Sequence, residues 1–409
     1  SADYQRRMGQ LGVSGITREM GMAACDHVLH SSLSQVVLIR CGPELRRELA
    51  VPNDRPARQL PGVHGSAIRK AMQGVHGDDS TAANRAFATA LEALEEVSQI
   101  CLLAAVRLLG EPATEPPAAI GSARPLREAL LPLWRAANAN QELVERSWHW
   151  QAELERLRQR LPELSPHLAL LEVCVAHYPQ LWRAEVAGHE ILFPNGSSHL
   201  VAPVYVSGDL PQQMNQTVVT AIQAWQAARG QSTPLRILEI GAGTGATAAV
   251  LLRSFATLPD FEYVFTDISP ALVRRAAEQF HSYAGCRFQV LDIERPPATQ
   301  GFQPGTFDVV VAANVLHATS CMADTLARTK SLLRTNSLLA LIEATSSQVF
   351  TTMTFGVTSG WWQHDGLEQR LPGGPLLDRV GWEANLVSVG FRDVTAIGFG
   401  GTGDRVPYH

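Results

Sequence analysis

The chain has no Cys-x-x-Cys pair; its six cysteines, Cys25, Cys41, Cys101, Cys174, Cys286 and Cys321, are scattered. That spacing argues against a disulfide framework and for a reduced, cytoplasmic setting. No apolar run is long enough to span a membrane, and no signal peptide is evident. There is no excess of basic residues: 34 Lys and Arg stand against 39 Asp and Glu, a net charge of -5. Nucleic acid is therefore not an expected partner. Internal repeats and low-complexity tracts are also missing. What is there, 45% hydrophobic and 18% charged residues, suits a globular protein with a large core. At 409 residues it is longer than one ordinary domain. Its abrupt first residues read as the start of a piece of something longer.

The most informative stretch runs from Leu235 to Gly245. Residues 237–240 are a short apolar run that reads as a buried parallel strand. The run breaks at Gly241, Gly243 and Gly245, and residues 246–255 read as a helix without glycine or proline. Strand, glycine turn and helix form the layout of a nucleotide-binding unit, where residues lacking a Cβ let the backbone approach a ligand. The spacing is Glu239-x-Gly241-x-Gly243-x-Gly245, tighter than the G-x-G-x-x-G of dinucleotide sites. It resembles motif I of class I S-adenosylmethionine-dependent methyltransferases. The resemblance implies that the acid helps hold the methionine ammonium, directly or through water. A dinucleotide site or a plain glycine-rich turn remain competing readings of this stretch alone.

Upstream, the pattern is mostly helical. A helix is expected over residues 17–30 and a strand over 35–40. Gly15, Ile16, Thr17, Met22, Leu29 and Val36-Val37-Leu38 are similar to the last helix and strand of polyketide ketoreductase domains, with an ordinary adaptor as the alternative. Residues 1–60 are thus read as an adaptor or the tail of a preceding domain. Residues 55–80 and 110–117 read as linkers. Helices are expected over 80–109, where Ala90, Leu94, Val97, Ile100, Cys101 and Ala104 recur at helical spacing, and over 147–161 and 167–182. His149, His167 and His177 read as core or surface residues of those helices rather than as metal ligands. Residues 191–196 read as a turn, 200–206 as an extended segment and 209–229 as a helix. The expected division is a helical lid over 80–205 and an α/β core over 206–409.

Within that core, strands are expected at 261–266, 288–291, 307–312 and 338–342. Asp267 closes the second strand, where a carboxylate can accept both hydroxyl protons of a ribose. It is equally good capping chemistry for a helix over 270–280. Asp292 and Ile293 follow the third strand, where an acid can contact an adenine amino group. Asn314 and His317 follow the fourth and Glu343 the fifth, on the side where open α/β sheets bind ligands. Thr335-Asn336 reads as a turn before the fifth strand.

Taken as an ordered series, Ile237 to Gly245, Phe265 to Ser269, Leu291 to Glu294, Asn314 to Thr319 and Phe355 to Trp362 resemble the carbon-methyltransferase domains of modular polyketide synthases. Pro375, Trp382 and Gly390-Phe391 continue the match, which covers roughly residues 185 to 400. The fold implied is a Rossmann-like class I methyltransferase core with a mostly helical N-terminal lid. The resemblance implies S-adenosylmethionine bound at Glu239, Gly241, Gly243, Gly245, Asp267, Asp292, Ile293 and Asn314. It implies His317 and Glu343 as a catalytic pair, and an acyl pocket lined by Tyr205, Phe355, Trp361 and Trp362, although the two tryptophans also suit plain packing. It implies an acyl carrier protein with a phosphopantetheine-tethered substrate and neighbouring synthase domains as partners. The activity implied is methylation of the α-carbon of a β-ketoacyl or malonyl thioester. A proton on such carbon needs a base within reach; a histidine titrates near neutral pH, and an acid can orient its ring.

One departure stands out. Gln363-His364-Asp365 follows the tryptophan pair with metal-capable side chains. Some loading-module relatives are metal-dependent and act on malonyl units, so the resemblance leaves open iron or manganese held by His317, Glu343 or His364. Two further alternatives remain. One is oxygen methylation of a carrier-bound hydroxyl, since fold does not choose chemistry. The other is a non-catalytic carrier-docking module, against which the intact glycine loop, Asp267, His317 and Glu343 argue.

Overall fold

A computed structural model of the protein describes residues 13–14, 40–41, 68, 70–71, 82–110, 115–121, 123–229, 234–365 and 370–398. The helix expected over 17–30 lies outside them, as do most of the strand expected over 35–40 and of the linker expected over 55–80. Arg40–Cys41 pairs antiparallel with Val13–Ser14.

Among the described residues the N-terminal layer is built of α1 (Ala82–Leu108), α2 (Ala123–Asn138), α3 (Gln141–Arg146), α4 (Trp150–Arg160), α5 (Ser165–Trp182), α6 (Gly188–Leu192) and α7 (Ala202–Val206). Residues 100–106 of α1 are all buried, which makes it the axis of this layer. The long apolar stretch of the sequence explains why: a helix apolar on all sides must be enclosed. α2 tolerates an internal Pro132 because Leu126, Leu130, Trp134 and Ala137 fall on one buried face. Residues 200–206 were expected to be extended, and this is corrected: Pro203 begins α7, and Val201 and Val204, three apart, face the helical core. The β-branched composition signalled a strand, but packing overrides so short a preference. The turn expected over 191–196 is a helix end followed by the 3₁₀ turn Pro194–Gly196.

The chain continues through α8 (Asp209–Arg229) into five parallel strands: β1 (Arg236–Ile240), β2 (Glu262–Asp267), β3 (Cys286–Val290), β4 (Phe307–Ala313) and β5 (Leu333–Ile342). Their spatial order is β3-β2-β1-β4-β5. The helices between and after them are α9 (Ala246–Phe255), α10 (Pro270–Gln279), α11 (Met322–Leu332), α12 (Val349–Thr354) and α13 (Arg379–Ser388). Ile237, Tyr263, Phe265, Val309 and Val311 pack on one side with α8 and α9, while Leu238, Ile240, Val264, Val310 and Ala312 pack on the other with α11 and α13. Coverage of both faces is why these strands read as unbroken apolar runs rather than alternating ones. The order reverses between β1 and β4, which opens a crevice at their carboxyl ends. The fifth strand starts earlier than expected: Thr335 and Asn336 lie inside β5, where Asn336 takes φ 60° and the pairing register with β4 shifts.

The helical layer and the sheet are knitted together by α12. Val349, Phe350 and Met353 belong to the helical core although they follow the last strand. Glu95 of α1 accepts the Val349 N–H at 2.9 and 3.1 Å, satisfying the start of α12 from across the fold. Tyr178 of α5 donates to the Met353 carbonyl at 3.0 Å. Gly188 lets α6 press on the segment after α12, since a Cβ there would lie 1.9 Å from the Val357 oxygen. No helix among the described residues is long and apolar enough to cross a membrane.

At the opposite end of the sheet, Asp308 is 1% exposed and accepts from Arg229 at 2.6 Å, Arg334 at 3.0 Å and the Arg236 N–H at 2.9 Å. Removing the carboxylate would leave two guanidinium groups without their shared partner, so Asp308→Ala is expected to cost about 3–5 kcal/mol in urea unfolding. A second buried acid, Glu239, receives the Tyr263 hydroxyl on the α8 side of β1. Burial pushes its carboxyl up to about 8, with Asp267 adding to the rise. The folded state therefore keeps a proton that the unfolded chain releases above the ordinary carboxylate value of 4.5. Stability from this group is greatest below that value and falls as pH climbs towards 8. Thermal unfolding from pH 5 to pH 8 should show a decline in the wild type that Glu239→Gln flattens.

Candidate active site

The glycine turn after β1 is left-handed at Gly241 (φ 61°), Gly243 (φ 53°) and Gly245 (φ 78°), a conformation costly for any residue with a Cβ. At Gly241 space is also needed: a Cβ would meet both Val315 methyls at 2.6 Å. Among the described residues, chain neighbours aside, the nearest atom to such a Cβ at Gly243 is the Gly241 oxygen at 3.7 Å, so this part of the turn is open. The turn is anchored to β2, with Ala242 N–H donating to the Thr266 carbonyl at 2.8 Å and Gly243 N–H to Asp267 Oδ2 at 2.9 Å.

Asp267 is thereby joined to the turn. Its other oxygen accepts the Ser269 N–H at 2.8 Å, and the helix cap is Ser269 itself, which accepts from Leu272. Burial pushes the Asp267 carboxyl up and the two backbone N–H bonds pull it down. Each carboxylate oxygen retains acceptor capacity. An anchored carboxylate beside an open glycine turn fits a ligand bearing adjacent hydroxyls, as S-adenosylmethionine does.

The remaining expected cofactor residues divide. Glu239 is enclosed in the sheet with Tyr263, as described above. Asp292 Oδ1 accepts the Glu294 N–H at 2.9 Å in the loop after β3, and Ile293 is part of the buried core. Glu294 then reaches the loop after β4, accepting the Ser320 N–H at 2.7 Å and also its hydroxyl. Asn314, at φ 52°, uses its side-chain oxygen to accept the Ala344 N–H at 3.1 Å, while its own N–H donates to the Ile342 carbonyl at 2.7 Å. Its oxygen ties the ends of β4 and β5 together.

His317 and Glu343 meet at those strand ends. The Nδ1 of His317 donates to Glu343 Oε2 at 2.5 Å, and the other carboxylate oxygen accepts the Leu316 N–H at 3.1 Å. They are 5% and 2% exposed. With Nδ1–H spent on the carboxylate, the neutral ring presents Nε2 as its acceptor. Trp361 stands edge-on to the imidazole at 5.9 Å, Phe355 stacks on Trp361 at 6.2 Å, and Tyr205 follows at 6.2 Å. Three of the expected pocket residues thus form one aromatic run leading away from His317. Trp362 instead donates to the Gly356 carbonyl at 2.8 Å and packs against the helical core.

The expected metal ligands are not drawn together as a cluster. Among the described residues no three His, Cys, Asp or Glu side chains are grouped to hold an ion, so His317, Glu343 and His364 form no ligand set. His364 is half-buried and its affinity for a proton is lowered, first by desolvation and then by Arg370. Of the helical histidines, His177 bonds the Val173 carbonyl at 2.8 Å, and burial lowers His167 to about 4.

One residue escaped the sequence reading. Arg370 is buried and donates to the carbonyls of His317 at 2.6 Å, Pro375 at 2.5 Å and Thr319 at 2.9 Å. A single arginine without periodic or motif context carries no signal of burial; Leu371-Pro372-Gly373-Gly374-Pro375 next to it marks only a turn.

Residues 238–339 match a family model described as a methyltransferase domain. The polyketide synthase ThaQ of Burkholderia thailandensis is 37% identical over 271 residues, covering 64% of this chain and only 13% of that protein. The crystal structure of the DszA carbon methyltransferase superposes with a TM-score of 0.72 at 29% identity, over 87% of this chain and 95% of that one. For the CurJ carbon methyltransferase the TM-score is 0.73 at 26% identity, over 84% and 95%. Nearly whole-length agreement with two carbon methyltransferases, and similarity to a segment of a polyketide synthase of which the chain spans only a small part, support an S-adenosylmethionine-dependent carbon-methyltransferase domain of the polyketide-synthase kind.

Proposed function

We propose that the domain methylates the α-carbon of an acyl thioester tethered through phosphopantetheine to an acyl carrier protein. The observation that carries this reading is the buried His317–Glu343 pair at the carboxyl ends of β4 and β5. Carbon between two carbonyls is acidic enough for an imidazole to deprotonate when the ring is held in place. Glu343 holds it, and its negative charge balances the imidazolium that forms. His317 Nε2 takes the proton while the electron pair spreads onto the carbonyl oxygen. The aromatic run of Trp361, Phe355 and Tyr205 gives an apolar wall that keeps water from the carbanion. The open turn at Gly243 and the Asp267 carboxylate are the groups we assign to holding the methyl donor. S-adenosylmethionine, when bound, would supply an electrophilic methyl carbon whose bond to the sulfonium sulfur breaks, the pair staying on the thioether that leaves, as the new carbon–carbon bond forms; much of the rate would then come from alignment.

His317→Ala is expected to lower methyl transfer by about 10²–10⁴-fold. Mass spectrometry of β-ketoacyl- and malonyl-carrier protein incubated with S-adenosylmethionine reads this out. Hydrolysis of the product distinguishes carbon from oxygen methylation; methyl recovered on oxygen, or full turnover in the alanine variant, overturns the proposal. Asp267→Ala should weaken S-adenosylmethionine binding in calorimetry about ten- to a hundredfold, the loss of hydrogen bonds to a charged group.

A further inference from the structure

We infer that Arg370 is a positioning residue that holds the turn bearing His317 and the aromatic wall facing it as one rigid unit; the inference rests on His317 being the base. The turn after β4 is short: its 3₁₀ segment, Leu316–Ala318, is too small to fix its own orientation. Two groups hold it from outside. Glu343 grips the imidazole and the Leu316 N–H, which sets the ring. Arg370 grips the backbone from behind, taking the carbonyls of His317 and Thr319 with separate arms of its guanidinium.

The same guanidinium takes the Pro375 carbonyl, and this extends its reach to the pocket. Leu376, the next residue, packs with Trp361 and Ala344 in a small buried cluster. Gly374, just before Pro375, lies against the Trp361 indole: a Cβ there would be 3.0 Å from its Nε1. Trp361 in turn stands edge-on to His317. One planar cation therefore closes a ring of contacts running from the base through Arg370, Pro375, Leu376 and Trp361 back to the base.

Its burial makes that role specific. Among the described residues Arg370 makes no ion pair, and its resolved hydrogen bonds are all to backbone carbonyls. A charge in such a place is costly unless its donors are used. A fork with donors on two nitrogens can span carbonyls on two segments; a lysine ammonium is a point donor and cannot hold the same spread. An error of about 1 Å in the position of a catalytic group can cost on the order of 10²-fold in rate. Arg370 thus acts on the reaction through His317, its donors being taken by backbone carbonyls.

The test compares wild-type domain with Arg370→Lys and Arg370→Met, using β-ketoacyl-carrier protein and S-adenosylmethionine. Expected are a kcat lower by about 10²-fold in Arg370→Met, a smaller loss in Arg370→Lys, and unchanged KM for the carrier substrate. Deuterium exchange at the substrate α-carbon without methyl donor should slow by the same factor as kcat. In ¹⁵N-histidine spectra the Nδ1 proton shared with Glu343 should move upfield. Wild-type kcat in either folded variant, or a loss confined to KM or to thermal stability with normal α-proton exchange, overturns the inference. Should Arg370→Met not fold, Arg370→Lys decides through the same exchange rate and Nδ1 signal. His317→Ala separates the two ideas: turnover without His317 removes the base itself, whereas an inactive His317→Ala beside a fully active Arg370→Met removes only the role of Arg370.

Discussion

Everything at the crevice depends on one carboxylate. Glu343 stands one residue beyond β5 and spends its two oxygens on neighbouring residues of the turn after β4, the Leu316 N–H and the His317 ring. That is possible because β4 and β5 run parallel and in register to their last residues, Ala313 opposite Ile342. Asn314 then bonds across to Ala344 and closes the gap between the strand ends. The imidazole is therefore oriented by backbone pairing that extends through the sheet, and a change in strand register would move the base.

The helical layer contributes the other wall. Phe355 and Trp361 belong to segments that follow the last strand, yet α12 just before them is embedded among α1, α2 and α5. Glu95 provides the clasp, a carboxylate that burial pushes up and the N–H groups of Val349 and Phe350 pull down. α12 follows the last strand and yet packs in the helical core with residues that precede position 206. The aromatic run thus has its position set by the helices, and the base has its position set by the sheet. Arg370 and the close contact of Gly188 with Val357 lie where these two frames meet.

Much of the sheet was legible because its physics is local. Unbroken apolar runs such as residues 309–313 announce strands covered on both faces, and α8 and α9 match the expected residues 209–229 and 246–255. Chemistry-bearing residues at strand ends were legible for the same reason, since a parallel sheet puts all its carboxyl ends on one side. Less legible was anything settled by partners far along the chain. Val201 and Val204 looked like strand residues until a helical core 3.6-periodic in its demands was placed beside them. No element is read from the sequence over residues 123–138, where α2 has a buried face defined by α1 and α12.

By itself, then, the sequence determined the order of strands and helices, the glycine turn that only residues without a Cβ can form, and the pool of acids and imidazoles available at the crevice. Tertiary structure decided how those groups are used. It joined Asp267 to Gly243 rather than to the helix cap, committed the Asn314 side-chain oxygen to a strand end, and enclosed Glu239 with Tyr263. It also set Arg370 on the backbone carbonyl of the base. The physical reason is that hydrogen bonds and burial are decided by distance in space. Residues 317 and 343, or 317 and 370, become neighbours only after the sheet and the helical layer have closed around them.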